Sequence, residues 1–201
     1  AYDNFGHAVA IDDGVVAVGS PYDDGASRLP YFNSGSAYRF DLATGVQLDK
    51  HEHLNGAQND FAGSEVDLED GTLYLGVPRE GIASYGGVYP FDAAGVQLDR
   101  IYAEQPSQYS HFGNALAIDG DRAIIAARGA HGGYEHSGIV YVFFRAPCAE
   151  DLDGDGLVSF DDLVELLANW GPCVCPQDID GSGEVDFGDL VTLLANWGPC
   201  P

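Results

Sequence analysis

A threefold internal repeat constrains the fold of this chain more than any other feature. A segment that opens with Phe5-Gly6 and ends at Pro21 recurs at 61–78 and again at 112–127. Each copy is followed by a Gly-x-x-Tyr-x-Phe segment, at 35–40, 86–91 and 138–143. The copies follow one another at about 50 to 57 residues, which is the length of one supersecondary unit in a repeat protein.

Each copy combines short β-prone runs with turn pairs such as Asp13-Gly14 and Asp70-Gly71, which favour tight hairpins. The first copy predicts four strands, near Ala8–Ile11, Val15–Gly19, Ala37–Asp41 and Val46–Asp49. A four-stranded antiparallel unit at this period is typical of a propeller blade. We therefore predict a mainly β fold class, with about three four-stranded blades over residues 1–146. Because closed propellers have about four to eight blades, this is a partial β-propeller, and we expect further blades upstream of Ala1.

The Phe-Gly opening and the Gly-x-Pro segments at 19–21 and 76–78 resemble the FG-GAP repeat of integrin-α-like propellers. The resemblance implies a β-propeller that serves as a binding or display surface, for a ligand that the sequence does not identify. Many blades of that family carry a calcium loop of spaced aspartates between their first two strands. Here the connections at 12–14, 69–71 and 119–121 are too short to surround an ion with six or more oxygens, so we predict plain hairpin turns.

The charge of the chain is unevenly distributed. Thirty-two acids and eight bases give −24, and residues 148–201 hold twelve acids and no Lys or Arg, which is −12 in about a quarter of the length. This balance argues against a nucleic-acid partner, and no apolar run approaches the roughly 18 residues of a membrane span. All four cysteines also lie in this segment, so we predict a domain boundary between 146 and 147, with 147–201 as a second, small α module.

Two segments of the second domain match the twelve-residue calcium loop, which supplies oxygens from positions 1, 3, 5, 7, 9 and 12 and has Gly at position 6. The predicted ligands of the first loop are Asp151, Asp153, Asp155, the carbonyl of Leu157, Ser159 and Asp162. Those of the second loop are Asp178, Asp180, Ser182, the carbonyl of Glu184, Asp186 and Asp189. We therefore predict two calcium ions. An acidic turn that only solvates a helix start is the alternative, but such a turn requires neither the Gly nor the acid at position 12.

A short helix is predicted after each loop. Leucines and a tryptophan fall at helical spacing in both, at Leu163, Leu166, Leu167 and Trp170 and at Leu190, Leu193, Leu194 and Trp197. Ser159 and Asp186 stand at the N-cap positions, and the sequence Asn-Trp-Gly-Pro ends each helix. Because the tryptophans complete the apolar stripes, we predict that they lie in the core.

No helix precedes either loop, because Cys148 and Cys175 stand only three residues before them. Across residues 148–201, this loop–helix arrangement with Asp at position 12 resembles type I dockerin modules. The resemblance implies an EF-hand-like module, folded by calcium, that binds a cohesin-like protein and anchors a secreted protein to a scaffold or cell surface. It assigns partner contacts to loop positions 10 and 11, which are Phe160-Asp161 and Phe187-Gly188 instead of small hydroxyl residues. Whether both phenylalanine rings are exposed anchors or lie in the core stays open here.

The cysteines point to an oxidising compartment and thus to a secreted or cell-surface protein. The short turn at 171–177 places the end of the first helix beside the start of the second loop. A pseudo-two-fold relation then places Cys200 near Cys148 and Cys173 near Cys175. We favour a Cys148–Cys200 disulfide, and expect a Cys173–Cys175 bridge, which spans one residue, to be strained. Pairing within each unit, as Cys148–Cys173 and Cys175–Cys200, is the alternative, and it has to cross a helix.

The sequence contains no nucleophile elbow, phosphate loop or catalytic Cys/His pair, so we expect no enzyme within these residues. The segment from His131 to His136 has a faint likeness to a metal cluster, but we interpret it as an inter-strand loop. The sequence thus favours a secreted, non-catalytic adaptor or surface protein. One alternative is the accessory end of an exported enzyme, such as a polysaccharide hydrolase. Another is a purely structural protein whose second domain caps the propeller.

Overall fold

Contacts divide the chain into two units. The computed structural model describes residues 2–24, 33–54, 56–131, 137–144, 148–154, 156–173 and 175–200. Unit 1 comprises Ala1–Asp119 with Ala123–Phe143, and unit 2 comprises Gly120–Arg122 with Phe144–Pro201. The predicted boundary between 146 and 147, the predicted ligand Asp155 and residues 132–136 of the histidine segment lie outside the described residues.

The first repeat copy forms one antiparallel sheet in the order β1-β2-β3-β4. Its strands are β1 (Val9–Asp12), β2 (Val15–Ser20), β3 (Ser36–Asp41) and β4 (Gln47–His51). Asp13 and Gly14 join β1 to β2 with φ values of 37° and 78°, the positive values that a type I′ hairpin turn requires. The sheet therefore has the four strands predicted for one copy.

The second and third copies form three-stranded sheets. Their strands are β5 (Glu65–Glu69), β6 (Thr72–Val77) and β7 (Gly87–Phe91), then β8 (Phe112–Asp119), β9 (Arg122–Ala127) and β10 (Ile139–Phe144). The prediction of four strands per copy is wrong for the second copy, where the fourth segment makes only single bridges from Gln97 and Ile101 to β7. Pro90 in β7 has no N–H, so a continuous ladder cannot form there.

Consecutive sheets stack face to face, and strand alternation decides which side chains meet. One face of the second sheet, with buried Leu73, Leu75 and Tyr89 among others, packs on small residues of the first sheet such as Ala17 and Ala37. Phe112 and Ile125 of the third sheet are buried in a second cluster that includes Val88 of the second sheet. We call the face toward the preceding sheet the front face and the opposite one the back face.

Glycine is required where successive sheets meet. Gly35 and Gly86 begin the two Tyr-x-Phe segments and form parallel bridges with Ala62 and Phe112 of the next sheet. Both glycines have a φ of +82°, and a Cβ at either position would collide with the backbone of that next sheet. The repeated glycine thus permits the close backbone approach between sheets.

Unit 2 contains two loop–helix halves that exchange their ends. Its elements are β11 (Leu157–Val158), α1 (Phe160–Ala168), β12 (Gly171–Pro172), β13 (Glu184–Val185), α2 (Phe187–Ala195) and β14 (Gly198–Pro199). β11 pairs with β14, and β12 pairs with β13, so the segment after each helix runs along the loop of the other half. Neither nine-residue helix is long enough to cross a bilayer, and no other described helix has that length and apolarity.

The core of unit 2 is small and lies between the two halves. Val158, Leu166, Val185 and Leu193 are fully buried there, with Cys200 beside them. Disulfides join Cys148 to Cys200 and Cys173 to Cys175, with Cα–Cα distances of 5.8 and 5.4 Å. The structure thus has the favoured Cys148–Cys200 pairing and not the pairing within each half.

The prediction that the tryptophans lie in the core is wrong. Trp170 and Trp197 are 48% and 49% exposed, because α1 and α2 end at Ala168 and Ala195, before the tryptophans. Leu167 and Leu194 are also about half exposed, since only the side of each helix toward the other half is covered.

Candidate metal centres

Three carboxylates of the first loop converge. One oxygen each of Asp151, Asp153 and Asp162 lies within 4.8 Å of the others, although these residues are up to eleven positions apart. They occupy positions 1, 3 and 12 of the predicted loop. Such a group of oxygens could hold a hard metal ion.

The carboxylate of Asp162 is held in place by several backbone hydrogen bonds. It is fully buried and accepts backbone N–H groups from Leu152 at 2.7 Å, Asp153 at 3.2 Å and Ser159 at 2.6 Å. Burial alone would raise the pKa of Asp162, but these N–H donors outweigh it and hold the pKa below its ordinary value. The carboxylate is therefore ionised at neutral pH, in the first turn of α1, where the helix dipole favours a negative charge.

Asp151 is oriented by the loop that it begins. Its two carboxylate oxygens accept the N–H groups of Gly154 at 2.8 Å and Gly156 at 2.9 Å. Gly156, at position 6, has a φ of 90°, a conformation that favours glycine and turns the chain around the cluster.

The second loop repeats this geometry. Oxygens of Asp178, Asp180 and Asp189 lie within 4.8 Å of one another. Asp189 is fully buried and accepts the N–H groups of Asp180 at 3.1 Å and Asp186 at 2.8 Å. Although burial opposes the effect, these bonds lower the pKa of Asp189 as well. Gly183, at position 6, has a φ of 95°.

Other predicted ligands are engaged elsewhere. Ser159 and Asp186, at position 9, cap α1 and α2 and form capping boxes with the acids at position 12. The hydroxyl of Ser182 donates to the carbonyl of Glu184 at 3.0 Å. Of the predicted ligands, these two clusters bring together the acids at positions 1, 3 and 12, and the carbonyls of Leu157 and Glu184 stay predicted ligands.

Each helix of unit 2 exposes an apolar stripe on the side away from the core. Phe160 and Phe187 are 66% and 68% exposed, so both rings lie at the surface. The apolar residues four and seven positions later are about half exposed, so an apolar surface continues from each ring along one helix face. We call these stripes outer face 1 (Phe160, Val164, Leu167) and outer face 2 (Phe187, Val191, Leu194). Val164 and Val191 were not identified from the sequence, although their spacing from the phenylalanines could have indicated them.

The other two predicted partner contacts differ from each other. Asp161 is exposed next to outer face 1, whereas Gly188 is half-buried and lies against the carboxylate of Asp180. The two surfaces are thus similar in their apolar part and different at loop position 11.

Unit 1 contains a buried ionic network that the sequence reasoning missed. Arg39 is 4% exposed, and its guanidinium binds Asp49 with Nε at 3.0 Å and Nη2 at 2.6 Å. It also donates to the carbonyl of Gly71 at 3.2 Å, in the turn between β5 and β6, and to that of Asp92 at 3.0 Å, directly after β7. Alternation could have revealed it, because Arg39 shares a strand face with the buried Ala37.

Comparison with known proteins supports the repeat. The family model of the FG-GAP repeat matches residues 1–40 and 96–143, and no curated protein matches the chain. FG-GAP repeats are non-catalytic protein-interaction modules, which is consistent with the absence of catalytic motifs expected for this region. The resemblance of residues 148–201 to dockerins stays a prediction. The matched segments contain strands β1–β3 and β8–β10 almost completely, so the first and third copies of the repeat in unit 1 are similar to the FG-GAP repeat family.

Proposed function

We propose that this chain is a secreted, non-catalytic adaptor, in which unit 1 offers a binding or display surface and unit 2 is a calcium-dependent, dockerin-like anchor. The observation that carries the proposal is the combination, in one small unit, of two carboxylate clusters with two exposed apolar helix faces. The disulfides and the FG-GAP repeats favour an extracellular setting.

Calcium is the ion that suits the clusters best. Each cluster offers three carboxylates and no nitrogen ligand, and hard oxygen donors of this kind select calcium or magnesium over zinc or copper. The flexible twelve-residue loop supplies more oxygens than the near-ideal octahedron of magnesium requires. With twelve acids and no base in residues 148–201, bound cations also offset the self-repulsion of the unit.

Ion binding is coupled to the outer faces through the helix starts. Asp162 lies in the first turn of α1, two residues after Phe160, and Asp189 has the same relation to Phe187. An ion on either carboxylate therefore fixes the loop and the first turn from which the ring projects. Removing the ions is expected to loosen both faces.

The partner must match an apolar stripe surrounded by acids. Exposed phenylalanines are residues that dominate the energy of interfaces when a pocket covers them. The −12 charge of residues 148–201 requires a neutral or basic rim around that pocket, and the association should weaken with salt. Because of the dockerin resemblance, a cohesin-like protein is the first candidate for the partner. Its pocket would receive a phenylalanine ring at the positions where dockerins have small hydroxyl residues.

The test is retention of a partner from the secretome of the parent organism on the immobilised 201-residue chain, followed by titration with the purified partner. We expect retention in calcium, loss in EDTA, and at least a tenfold weaker Kd for the double variant Phe160→Ala, Phe187→Ala. The matched control is Leu54→Ala, Ile82→Ala, two exposed apolar residues of unit 1.

Two outcomes would overturn the proposal. Equal retention by the phenylalanine variant would show that the outer faces are not the binding surface. Absence of any calcium-dependent partner would favour a unit that only caps the propeller.

A further inference from the structure

Unit 1 carries two arginines without a carboxylate partner, in a chain that has thirty-two acids and eight bases. Two of the bases, Arg28 and Arg145, lie outside the described residues. Four others form ion pairs with carboxylates no more than 3.4 Å away, and these are Arg39, Lys50, Arg100 and Arg122. The guanidinium groups of Arg79 and Arg128 form no hydrogen bond or ion pair with any described residue, and both residues are exposed.

Arg79 is held beside an aromatic ring at one edge of the stacked sheets. It follows β6, and its backbone N–H donates to the carbonyl of Asp60, just before Phe61, at 3.3 Å. Its guanidinium lies over the ring of Phe61, 4.7 Å from the centroid, and Tyr22 packs against the same ring with centroids 5.1 Å apart. This contact fixes the guanidinium and leaves its N–H donors without an acceptor among the described residues.

Arg128 reaches the same edge from the third sheet. It follows β9, and the backbone N–H of the next residue, Gly129, donates at 3.0 Å to the carbonyl just before His111. The backbone N–H of His111 donates to the carbonyl of Ser84 at 3.2 Å, in the segment that follows Arg79. His111 is thus tied to the segments of both arginines. Burial, and then the charges of Arg128 and Arg79, hold the pKa of His111 below its ordinary value.

An edge of this composition is suited to an anion. A guanidinium offers paired N–H donors that match the two oxygens of a carboxylate, and such a charge-assisted pair is stronger than a bond between neutral groups. Beside Arg79, the half-buried ring of Phe61 and the 40% exposed Tyr22 add an apolar surface. The edge therefore fits a carboxylate that is accompanied by apolar groups.

We propose that this edge of unit 1 binds an acidic segment of a partner polypeptide, with one carboxylate on each arginine. We call it the arginine edge (Tyr22, Phe61, Arg79, His111, Arg128). The proposal rests on the proposed role of unit 1 as a binding surface and does not involve the anchor in unit 2.

A polypeptide is the occupant for two reasons. FG-GAP repeats, to which unit 1 is similar, are protein-interaction modules. In addition, side chains two residues apart on an extended segment are separated by about 7 Å, and packed sheets by about 10 Å, so two flexible acidic side chains can reach arginines on successive sheets. An apolar side chain of the same segment would cover the rings beside Arg79.

The test is fluorescence anisotropy of a labelled decapeptide of glutamate, titrated with the 201-residue chain at pH 7 and about 0.15 M NaCl, in EDTA. At this ionic strength exposed charges more than about 8 Å apart are largely screened, so the other acids of the chain repel the peptide little. EDTA prevents a metal ion from joining the peptide to the carboxylate clusters of unit 2. We expect saturable binding of this peptide and no binding of a glutamine decapeptide.

Variants locate the contact. Arg79→Gln and Arg128→Gln should each raise the Kd at least about fivefold, because each removes one of the two charged contacts. The matched control is Arg122→Gln, which removes the same charge at the other end of β9, about 20 Å from Arg128, and should bind like the parent chain. Arg79→Lys keeps the charge without the planar fork and should raise the Kd at least about threefold. All three arginines are exposed, so circular dichroism should stay unchanged.

Several results would overturn the proposal. These are a parent chain that does not bind the glutamate peptide, and arginine-edge variants that bind it as well as Arg122→Gln does. Tighter binding of an oligogalacturonate with ten carboxylates would assign the edge to an acidic polysaccharide instead. The variant Phe160→Ala, Phe187→Ala should bind the peptide like the parent chain, so failure of the anchor in unit 2 and failure of the arginine edge give different results.

Discussion

The carboxylate of Asp162 belongs both to the first cluster and to the first turn of α1, so Asp162→Asn separates two opposing effects. The substitution keeps the size of the side chain and one oxygen acceptor while it removes the charge. Its consequences differ with and without calcium, and both can be estimated from the geometry.

Without calcium the two effects nearly cancel. The substitution relieves repulsion from Asp151 and Asp153, whose carboxylate oxygens lie within 4.8 Å. Charges at that distance repel by roughly 3.5 kcal/mol at an effective dielectric of about 20, and solvent around these two residues reduces this to about 1–2 kcal/mol per pair. Leu152 and Asp153 donate to one carboxylate oxygen and Ser159 to the other, so Asn keeps an acceptor for the first two bonds, each weaker by about 1 kcal/mol, and loses the Ser159 bond at about 1–2 kcal/mol. We expect the free energy of unfolding in EDTA to change by no more than about 1 kcal/mol.

With calcium the substitution is destabilising. At about 1 mM free calcium, a site with a Kd near 10 µM stabilises the folded state by about 2.7 kcal/mol. In twelve-residue calcium loops the acid at position 12 supplies two oxygens to the ion, so neutralising Asp162 should raise the Kd about a hundredfold. The free energy of unfolding in calcium should then fall by about 2 kcal/mol relative to the parent chain.

Tryptophan fluorescence during urea unfolding measures unit 2 selectively. The chain has two tryptophans, Trp170 and Trp197, and both belong to that unit. The matched control is Asp161→Asn, an exposed acid in the same helix turn that contributes no oxygen to the cluster. It should keep the calcium response of the parent chain.

Two results would refute this reasoning. An Asp162→Asn chain with the full calcium response would mean that the first cluster binds no ion. A loss well above 1 kcal/mol in EDTA would mean that Asp162 acts mainly as a buried acceptor of backbone hydrogen bonds.

Three further predictions concern the disulfide and the buried network. Replacing Cys148 and Cys200 by Ala removes a cross-link over a separation of 52 residues and should lower the free energy of unfolding of unit 2 by about 4 kcal/mol, by the same fluorescence assay. Arg39→Lys loses the two-pronged bond to Asp49 and should lower the stability of unit 1 by about 2–3 kcal/mol in scanning calorimetry. Burial lowers the pKa of His51, so the unfolded chain takes up the proton more readily and stability falls as the pH drops below about 6.5. His51→Gln should flatten that fall between about pH 7 and 5, and an unchanged slope would contradict it.

Features set by local chemistry could be predicted from the sequence. The hairpin at Asp13-Gly14 follows from two residues that accept positive φ, and the acid clusters follow from the spacing of the loops. The Cys148–Cys200 pairing also followed, because a short turn and a pseudo-two-fold relation leave few arrangements.

Features set by residues that are distant in the chain could not be predicted from the sequence. The carbonyls of the second repeat copy that Arg39 binds lie more than thirty residues away in the chain. The exposure of Trp170 depends on where α1 ends. The fourth segment of the second copy pairs poorly with β7 because Pro90 has no N–H. A pattern of alternating apolar residues does not reveal this effect.

The two units bury their repeated elements in different ways, and this difference determines which apolar surfaces stay exposed. In unit 1 each sheet packs on the next one along the chain, so its buried faces are covered by neighbouring sheets. The two halves of unit 2 instead exchange β12 and β14 and cover each other, which leaves no terminal face. Phe160 and Phe187 lie on the far side of their helices, where a polar residue would leave the core unchanged. Two large exposed rings at equivalent positions are therefore not part of the core of the unit, which supports a role for the outer faces in binding.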